Sequence, residues 1–376
     1  MNEEQRKILI VGSDVIMPKL FYFSQHWRDQ GVSYAAYTHD RSANAFNAAK
    51  NFSAEIINGP PHSRSPFRLL KDFYALLSVL RKRKFLHVEM YCDYHMVACF
   101  GYLLILKAFG VPIVAWFRGE LKIWDEMEWW QRRYIRILCR IADVVLMKEV
   151  YMPDTLSRAG IDVSHKSLLI HNTIPLEPYE ERSLDRPIIR LLYLNMFTPW
   201  RNVPFCIEVA NELRKRSVPF TMTLVGDKPE DPDLARVSQE LRSTIAHHKL
   251  TELVKIEKFT DDPKAYFLNS DIFLLPADGV FCNYALLESM AHGLIPMVAD
   301  IDPSYQEIVE NGVSGMGLPL SAQLWAEHVE YWNTNRSAAR ELSKAARRRI
   351  EAKFSVTNSF RCYSNAVSTH WNEKLQ

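Results

Sequence analysis

Residues 271–300 read DIFLLPADGVFCNYALLESMAHGLIPMVAD. Ile272, Phe273, Leu274 and Leu275 form a short apolar run stopped by Pro276, as a strand buried on both faces of a parallel sheet does. Ala277 to Asn283 is a loop, and Gly279 permits backbone shapes there that other residues resist. Tyr284 to His292 has helical spacing, with Leu287, Met290 and Ala291 on one face and Glu288 near the start. Gly293 ends the helix, Pro296 follows, and Met297, Val298 and Ala299 open another strand. The unit is strand, loop, helix, strand. In open parallel sheets a ligand lies beyond the carboxyl ends of the strands, which here is the stretch from Asp278 to Glu288. The helix N-terminus aims unpaired N–H groups and partial positive charge at the same place, which suits a phosphate. Glu288, one turn in, can accept hydrogen bonds from ribose hydroxyls, or can simply complement the helix dipole.

The same alternation runs outward on both sides. Lys7 to Gly12 is a buried strand, Leu20 to Gln30 a helix closed by Gly31, and Val32 to Tyr37 a second strand. Gly12 stands alone, so the Gly-x-Gly-x-x-Gly dinucleotide pattern is absent and a dehydrogenase is discounted. Asp14 and Lys19, in the loop after the first strand, face either a cleft or solvent. Phe67 to Lys82 is an amphipathic helix, Phe85 to Met90 a strand, Tyr91 to Phe109 a helix and Ile113 to Trp116 a strand. A charged linker at Pro178 to Pro187 precedes a second series. Its strands are Ile188 to Leu194, Phe220 to Val225 and Val254 to Phe259, with a helix from Val203 to Arg216. After the quoted stretch come helices at Pro303 to Asn311 and Ala322 to Phe354, the latter ending in Arg347-Arg348-Arg349.

A chain of 376 residues predicts two domains. Hydrophobic residues make up 48% and charged ones 24%, the balance of an ordinary globular protein with sizeable cores. A net charge of +2 does not suit a nucleic-acid binder. Six cysteines with no Cys-x-x-Cys pair read as reduced core thiols, hence a cytoplasmic setting. The opening MNEEQRK is polar, unlike a signal peptide, and the apolar run Phe100 to Val111 is short and interrupted by Lys107. Ile123 to Leu146 gathers Trp124, Trp129, Trp130, Arg132, Arg133 and Arg136. That face fits an anionic membrane, with tryptophan at the headgroups and arginine on phosphates. Alternatively it is an interdomain or core helix whose arginines pair with Asp125, Glu126 and Glu128.

The quoted stretch resembles the signature of retaining glycosyltransferases of the two-domain B fold, family four (group 1). Their pattern of Pro, a loop, Glu-Gly-Phe-Gly and Leu-Leu-Glu-Ala-Met-Ala-x-Gly-x-Pro-Val-Val-Ala is matched from Leu286 to Ala299. The family's ribose-binding glutamate falls on Glu288, and its donor-sugar glutamate falls on Val280, with Asp278 and Asn283 as substitutes. The family's diphosphate clamp, Gly-Arg-x-x-x-x-Lys-Gly, falls on Asn195 to Asn202: Arg201 takes the lysine position and Met196 the arginine position. An arginine there can bind phosphate bidentately. Gly226-Asp227-Lys228-Pro229-Glu230 is similar to Gly-Asp-Gly-Pro-Glu, and Arg118 replaces a histidine that faces the transferred sugar.

The expected fold is α/β, with two Rossmann-like parallel-sheet domains facing a cleft. The N-terminal, acceptor-side domain takes 1–180 and the nucleotide-sugar domain 181–354, with a helix in 355–376 crossing back to the first. The resemblance implies a retaining, metal-independent transfer of sugar from a nucleotide diphosphate donor, UDP- or GDP-sugar being expected. The acceptor is a glycan or lipid-linked hydroxyl in polysaccharide biosynthesis. No cofactor, metal or nucleic acid is expected. Arg201, Glu288 and Arg118 are the expected catalytic residues. Arg201, Gly226, Asp278, Asn283, Tyr284, Ala285, Leu286 and Glu288 are expected to hold the donor. The setting is cytoplasmic, with peripheral membrane contact through 123–136. The rival readings are a sugar-nucleotide epimerase or hydrolase, and a non-catalytic binding subunit.

Overall fold

The computed structural model describes residues 6–12, 18–60, 66–91, 98–117, 119–179, 181, 184–280 and 282–375. The chain divides into two units, 1–175 with 356–376, and 176–355.

The first unit is a seven-stranded sheet, and every pairing in it is parallel. Its strands are β1 (Arg6–Val11), β2 (Val32–Thr38), β3 (Glu55–Asn58), β4 (Phe85–Tyr91), β5 (Ile113–Phe117), β6 (Val144–Met147) and β7 (Ser167–Leu169). The helices are α1 (Ser24–Arg28), α2 (Ala43–Asn51), α3 (Pro66–Lys82), α4 (Ala98–Ala108), α5 (Trp129–Ile141) and α6 (Tyr151–Arg158). Strand order is β3-β2-β1-β4-β5-β6-β7, so the winding reverses between β1 and β4. Right-handed crossovers then put α1 and α2 on one face and α3, α4 and α5 on the other. The cores agree: Leu76, Tyr102 and Tyr134 pack with Leu9 and Val88, whereas Trp27 and Ala45 pack with Ile8 and Tyr34.

The second unit has six parallel strands in the order β10-β9-β8-β11-β12-β13. They are β8 (Ile189–Leu194), β9 (Phe220–Asp227), β10 (Val254–Lys258), β11 (Ile272–Leu275), β12 (Ile295–Ala299) and β13 (Met316–Leu318). The helices are α7 (Pro204–Lys215), α8 (Pro232–His247), α9 (Lys264–Leu268), α10 (Tyr284–Ala291), α11 (Ala322–Thr334) and α12 (Arg336–Lys353). Here the winding reverses between β8 and β11. Their amino ends are clamped by the Arg190 guanidinium, which donates to both Asp271 carboxylate oxygens at 2.7 and 3.1 Å.

The last helix, α13 (Val356–Leu375), belongs to the first unit. Val356, Phe360, Tyr363 and Val367 enter the core that also holds α1 and α2. Beneath them the Tyr363 hydroxyl donates to Glu89 at 2.5 Å, Tyr34 donates to the same oxygen at 2.9 Å, and His87 Nε2 lies 2.9 Å from Tyr363. Burial keeps His87 below the usual imidazole range, so it stays neutral, although Glu89 pulls the other way.

Several elements differ from the sequence reading. Residues 322–354 form two helices, broken at Asn335, whose φ of −115° and ψ of 69° lie outside the helical region. Strand β4 runs on to Tyr91, and α4 is described over Ala98–Ala108; the expected helical residues 92–97 lie outside the described residues. The stretch 303–311 is only a short 3-10 turn, Pro303–Glu307. Cys99, Cys139, Cys206 and Cys282 are buried thiols, but Cys362 is exposed.

Candidate functional site

At the point where the second sheet reverses, β9, β8 and β11 are neighbours, and their carboxyl ends release three loops. The loops are tied together. The Asp278 amide donates to the Trp200 carbonyl at 3.0 Å. Asn283 Nδ2 donates to Asn195 Oδ1 at 3.1 Å, while its Oδ1 accepts from the Leu286 amide at 3.0 Å and so caps α10. Gly226, at φ +150°, lies so close to the Asn195 carbonyl that a Cβ there would collide with it. After β8 a 3-10 turn, Pro199–Arg201, ends at Asn202 in the left-handed conformation, which redirects the chain into α7.

Buried polar groups inside this cluster lack partners. Asn195 Nδ2, Thr198 Oγ1 and Arg201 Nη1 are buried and make no hydrogen bond among the described residues. The Arg201 Cζ stands over the Trp200 ring, 3.7 Å from its centroid. Burial lowers its pKa to about 10, with the Tyr193 hydroxyl acting the other way. Glu288 is half-buried on α10; its carboxyl group makes no hydrogen bond or ion pair among the described residues and is pushed up to about 7 by burial. Orphaned buried polar groups are rare in native proteins, because each costs its full desolvation. Two donors or acceptors, a cation and a carboxylate left open at one edge match a ligand carrying both anionic oxygens and hydroxyls.

The other expected site residues are placed as follows. Asp278 is exposed, with its backbone amide held by Trp200. Both polar ends of the Asn283 side chain are engaged within the protein, and the Leu286 amide is occupied by it. Tyr284 is half-buried, and Ala285 and Leu286 are buried. Val280 is buried, so that position offers the site no polar group, and Met196 is exposed. Arg118 and Asp14 lie outside the described residues. Lys228 stands 4.2 Å from the Phe259 ring centroid. Asn195 and Thr198 were not singled out from the sequence. Only their position just beyond a buried strand hinted at them.

A cavity of about 760 Å³ lies elsewhere. It is lined by Val313, Met316, Leu324, Tyr331, Trp332 and Leu342, at the amino end of β13 and so on the edge opposite these loops.

Two doubly wound parallel-sheet units are the architecture of the glycosyltransferase B fold. Residues 189–335 match the family model described as glycosyl transferases group 1. It is 25% identical over 278 residues, 65% of the chain and 68% of the relative, to the alpha-D-kanosaminyltransferase of Streptomyces kanamyceticus. A glycosyltransferase from Rickettsia africae superposes with a TM-score of 0.79 at 16% identity, covering 98% of this chain and 99% of that one. Anabaena Alr3699/HepE, solved with UDP and glucose, gives 0.77 at 15% identity, covering 97% and 100%. At these identities the structural likeness is one of fold.

Proposed function

We propose that this protein is a retaining, metal-independent glycosyltransferase that moves a sugar from a nucleoside diphosphate donor to an acceptor hydroxyl. The observation that carries the reading is the open set of Asn195, Thr198, Arg201 and Glu288 on tied loops at the sheet's switch point. Glu288 accepts the ribose hydroxyls. Arg201, held over Trp200, donates to the diphosphate and gains strength from its dry surroundings. As the bond from the anomeric carbon to the diphosphate breaks, the electron pair moves onto the departing oxygen. Arg201 and the nearby helix N-termini stabilise that charge. The acceptor oxygen bonds the same face of the sugar and gives its proton to the departing phosphate, in line with the front-face course that the resemblance implies.

The Anabaena protein's complexes with UDP, UDP-glucose and glucose favour UDP as the base, with GDP the second choice. Buried Val280 and exposed Met196 leave fewer polar groups for the sugar than the resemblance implies, so the sugar is held by other residues, Asp278 and Arg118 being the proposed ones. The acceptor is a glycan or a lipid-linked hydroxyl, met on the cytoplasmic side of a membrane in surface-polysaccharide assembly. The arginines of 123–136 support membrane contact: Arg132, Arg133 and Arg136 make no ion pair with Asp125, Glu126 or Glu128. Trp124, by contrast, belongs to the core. No helix among the described residues is long and apolar enough to cross a membrane.

The test is thermal stabilisation by UDP-, GDP-, CMP- and dTDP-sugars, since a ligand bound only by the native state raises its stability. One donor class should shift the wild type and leave Glu288→Ala and Arg201→Ala unmoved. A wild-type shift retained in both variants would remove these residues from the site. A shift without sugar transfer to any acceptor would favour a non-catalytic binding subunit.

A further inference from the structure

The cavity at the amino end of β13 lies within the second unit, on the sheet edge opposite the donor loops. Helices α11 and α12 give it two walls. Leu324, His328 and Tyr331 line it from α11, and Glu341, Ala345 and Arg348 from α12. Each set is spaced by three or four residues and so shares one helix face. Facing stripes of that spacing usually interdigitate. Here α12 presents Ala338 and Ala345, which are too short to reach across, and the space stays open. The walls are braced from behind. Arg216, just after α7, donates to Glu327 at 2.7 Å and to Glu330 at 2.9 Å on α11. Arg349 donates to the carbonyls of Gln306, Glu307 and Ile308 and to the Glu310 carboxylate, which fixes the turn that carries Gly312 and Val313. Arg347 and Ser343 hold α12 to the Ala291 and Gly293 carbonyls. Of the three consecutive arginines, the outer two are thus engaged, whereas Arg348 lines the cavity and makes no hydrogen bond or ion pair among the described residues. The Tyr331 hydroxyl, the His328 ring nitrogens and the Trp332 indole N–H likewise make no hydrogen bond among the described residues. Glu341 only approaches Lys344, at 3.7 Å. Burial holds the His328 imidazole below its usual range, although Glu327 pulls the other way, so near pH 7 it offers one donor and one acceptor.

We propose that this cavity binds a neutral saccharide about two sugar rings long, the size that a preformed pocket of some 760 Å³ accommodates. A sugar ring has hydroxyls that both donate and accept, and C–H faces that pack on aromatic rings. The cavity answers each. Arg348, Trp332 and Tyr331 donate, Glu341 and His328 accept, and the Tyr331 ring, 51% exposed, stands beside apolar Met316 and Leu342. Charge argues against other classes. A phosphate or fatty acid would gain Arg348 but meet Glu341 and the already paired Glu327, and an ammonium would meet Arg348. A wholly apolar ligand would bury the open polar groups at a cost for each. Braced walls keep the ordering cost of binding small. Lying away from the donor loops, the site serves as a hold on a longer glycan and not as the reacting subsite. That use rests on the transfer reading above, whereas the saccharide class rests on the cavity alone.

The experiment is calorimetric titration of the full chain with neutral oligosaccharides (maltotetraose, cellotetraose, mannotetraose, galactotetraose and chitotetraose), beside acidic oligogalacturonate and cationic chitosan oligosaccharide. At least one neutral member should bind with a millimolar or tighter Kd. Tyr331→Ala should weaken that binding about tenfold, the worth of an aromatic contact and a hydroxyl hydrogen bond together. Ala345→Trp fills the cavity without removing a polar group and should abolish it. Arg201→Ala, which disables the donor site, should bind the saccharide as the wild type does. Both cavity variants should retain the donor-induced thermal shift or, if no donor shifts the wild type, its melting temperature. Preference for the acidic or the cationic oligosaccharide, unaltered binding in both cavity variants, loss of binding with Arg201→Ala, or no binding by any neutral member would each overturn the proposal. Saccharide binding lost in the cavity variants, in a protein that binds no donor, would support the site and remove only the transfer reading.

Discussion

Glu288 and Arg201 carry opposite charges at one edge, yet among the described residues neither the Glu288 carboxyl group nor Arg201 Nη1 has a hydrogen-bond partner. Each makes a prediction with a definite sign. The folded state lifts the Glu288 pKa from 4.5 to about 7, so its proton binds more tightly folded than unfolded. Its contribution to stability is therefore fully present below 4.5 and is lost as the pH rises through 7. Glu288→Gln, which keeps the shape without the charge, should match the wild type's melting temperature in mild acid. In alkaline buffer, without donor, it should exceed the wild type by up to about 3 kcal/mol. Equal melting at both pH values would show that the carboxyl is solvated after all. Arg201→Met removes a desolvated cation that burial has already brought down to about 10. Donor affinity should fall roughly 10- to 100-fold, the worth of a charged hydrogen bond, while donor-free melting does not fall. A clear loss of stability without donor would mean that Arg201 is a structural residue. Such sites trade stability for binding.

Helix α10 places Glu288, and both its ends are fixed by groups far away in the chain. At the start, Asn283 caps the first turn and reaches Asn195. At the end, Arg347 donates to the Ala291 carbonyl at 2.6 Å and Ser343 to the Gly293 carbonyl at 2.6 Å, where Gly293 holds φ +72°. Asn283→Ala should cost about 1 kcal/mol as a lost cap. It should also lower donor affinity, because it removes one of the two hydrogen bonds that tie the loops, leaving only that from the Asp278 amide to the Trp200 carbonyl. Calorimetry that finds the stability loss with unchanged affinity would separate the cap from the site. This element was largely legible in the sequence: a four-residue apolar run, a loop ending at Asn283 and a closing glycine bound it within a residue. Its supports were not. Arg347 and Arg349 read as a charge run, because besides the carboxylates of Glu351 and Glu310 their partners are backbone carbonyls of Glu177, Ala291, Ile308, Gln306 and Glu307, which sequence spacing does not mark. Helices α2 and α8 and strand β3 also escaped the reading. The four residues of β3, Glu55–Asn58, form an edge strand that is only half-buried, so they show no apolar run. Asn195 and Thr198 were invisible for a simpler reason: a polar residue in a loop signals a ligand only once burial and lack of a partner are known.

Across the whole chain, the first unit is built from two separated segments, and α13 closes it. Val356, Phe360 and Val367 are each buried, worth about 1.5–3 kcal/mol apiece, and Tyr363 adds an aromatic body and a hydroxyl. Such a sum is comparable to the whole stability of a typical domain, about 5–15 kcal/mol. Removal of 356–376 would also leave Glu89 with Tyr34 but without the Tyr363 hydroxyl, in a buried site where an unmet charge is costly. A chain ending at Ser355 should therefore lose the first unit and keep the second. Limited proteolysis should cut within 1–175 and spare 176–355, and the donor-induced shift should persist in the surviving fragment. Tyr363→Phe is the milder form. It keeps the packing with Phe23 and Trp27, deletes only the hydroxyl between His87 and Glu89, and should cost about 1–3 kcal/mol. If truncation left the protease pattern of the first unit unchanged, α13 would be a surface helix rather than part of that core. If it abolished the donor shift as well, the two units would fold as one, and the donor site could not be studied in the second alone.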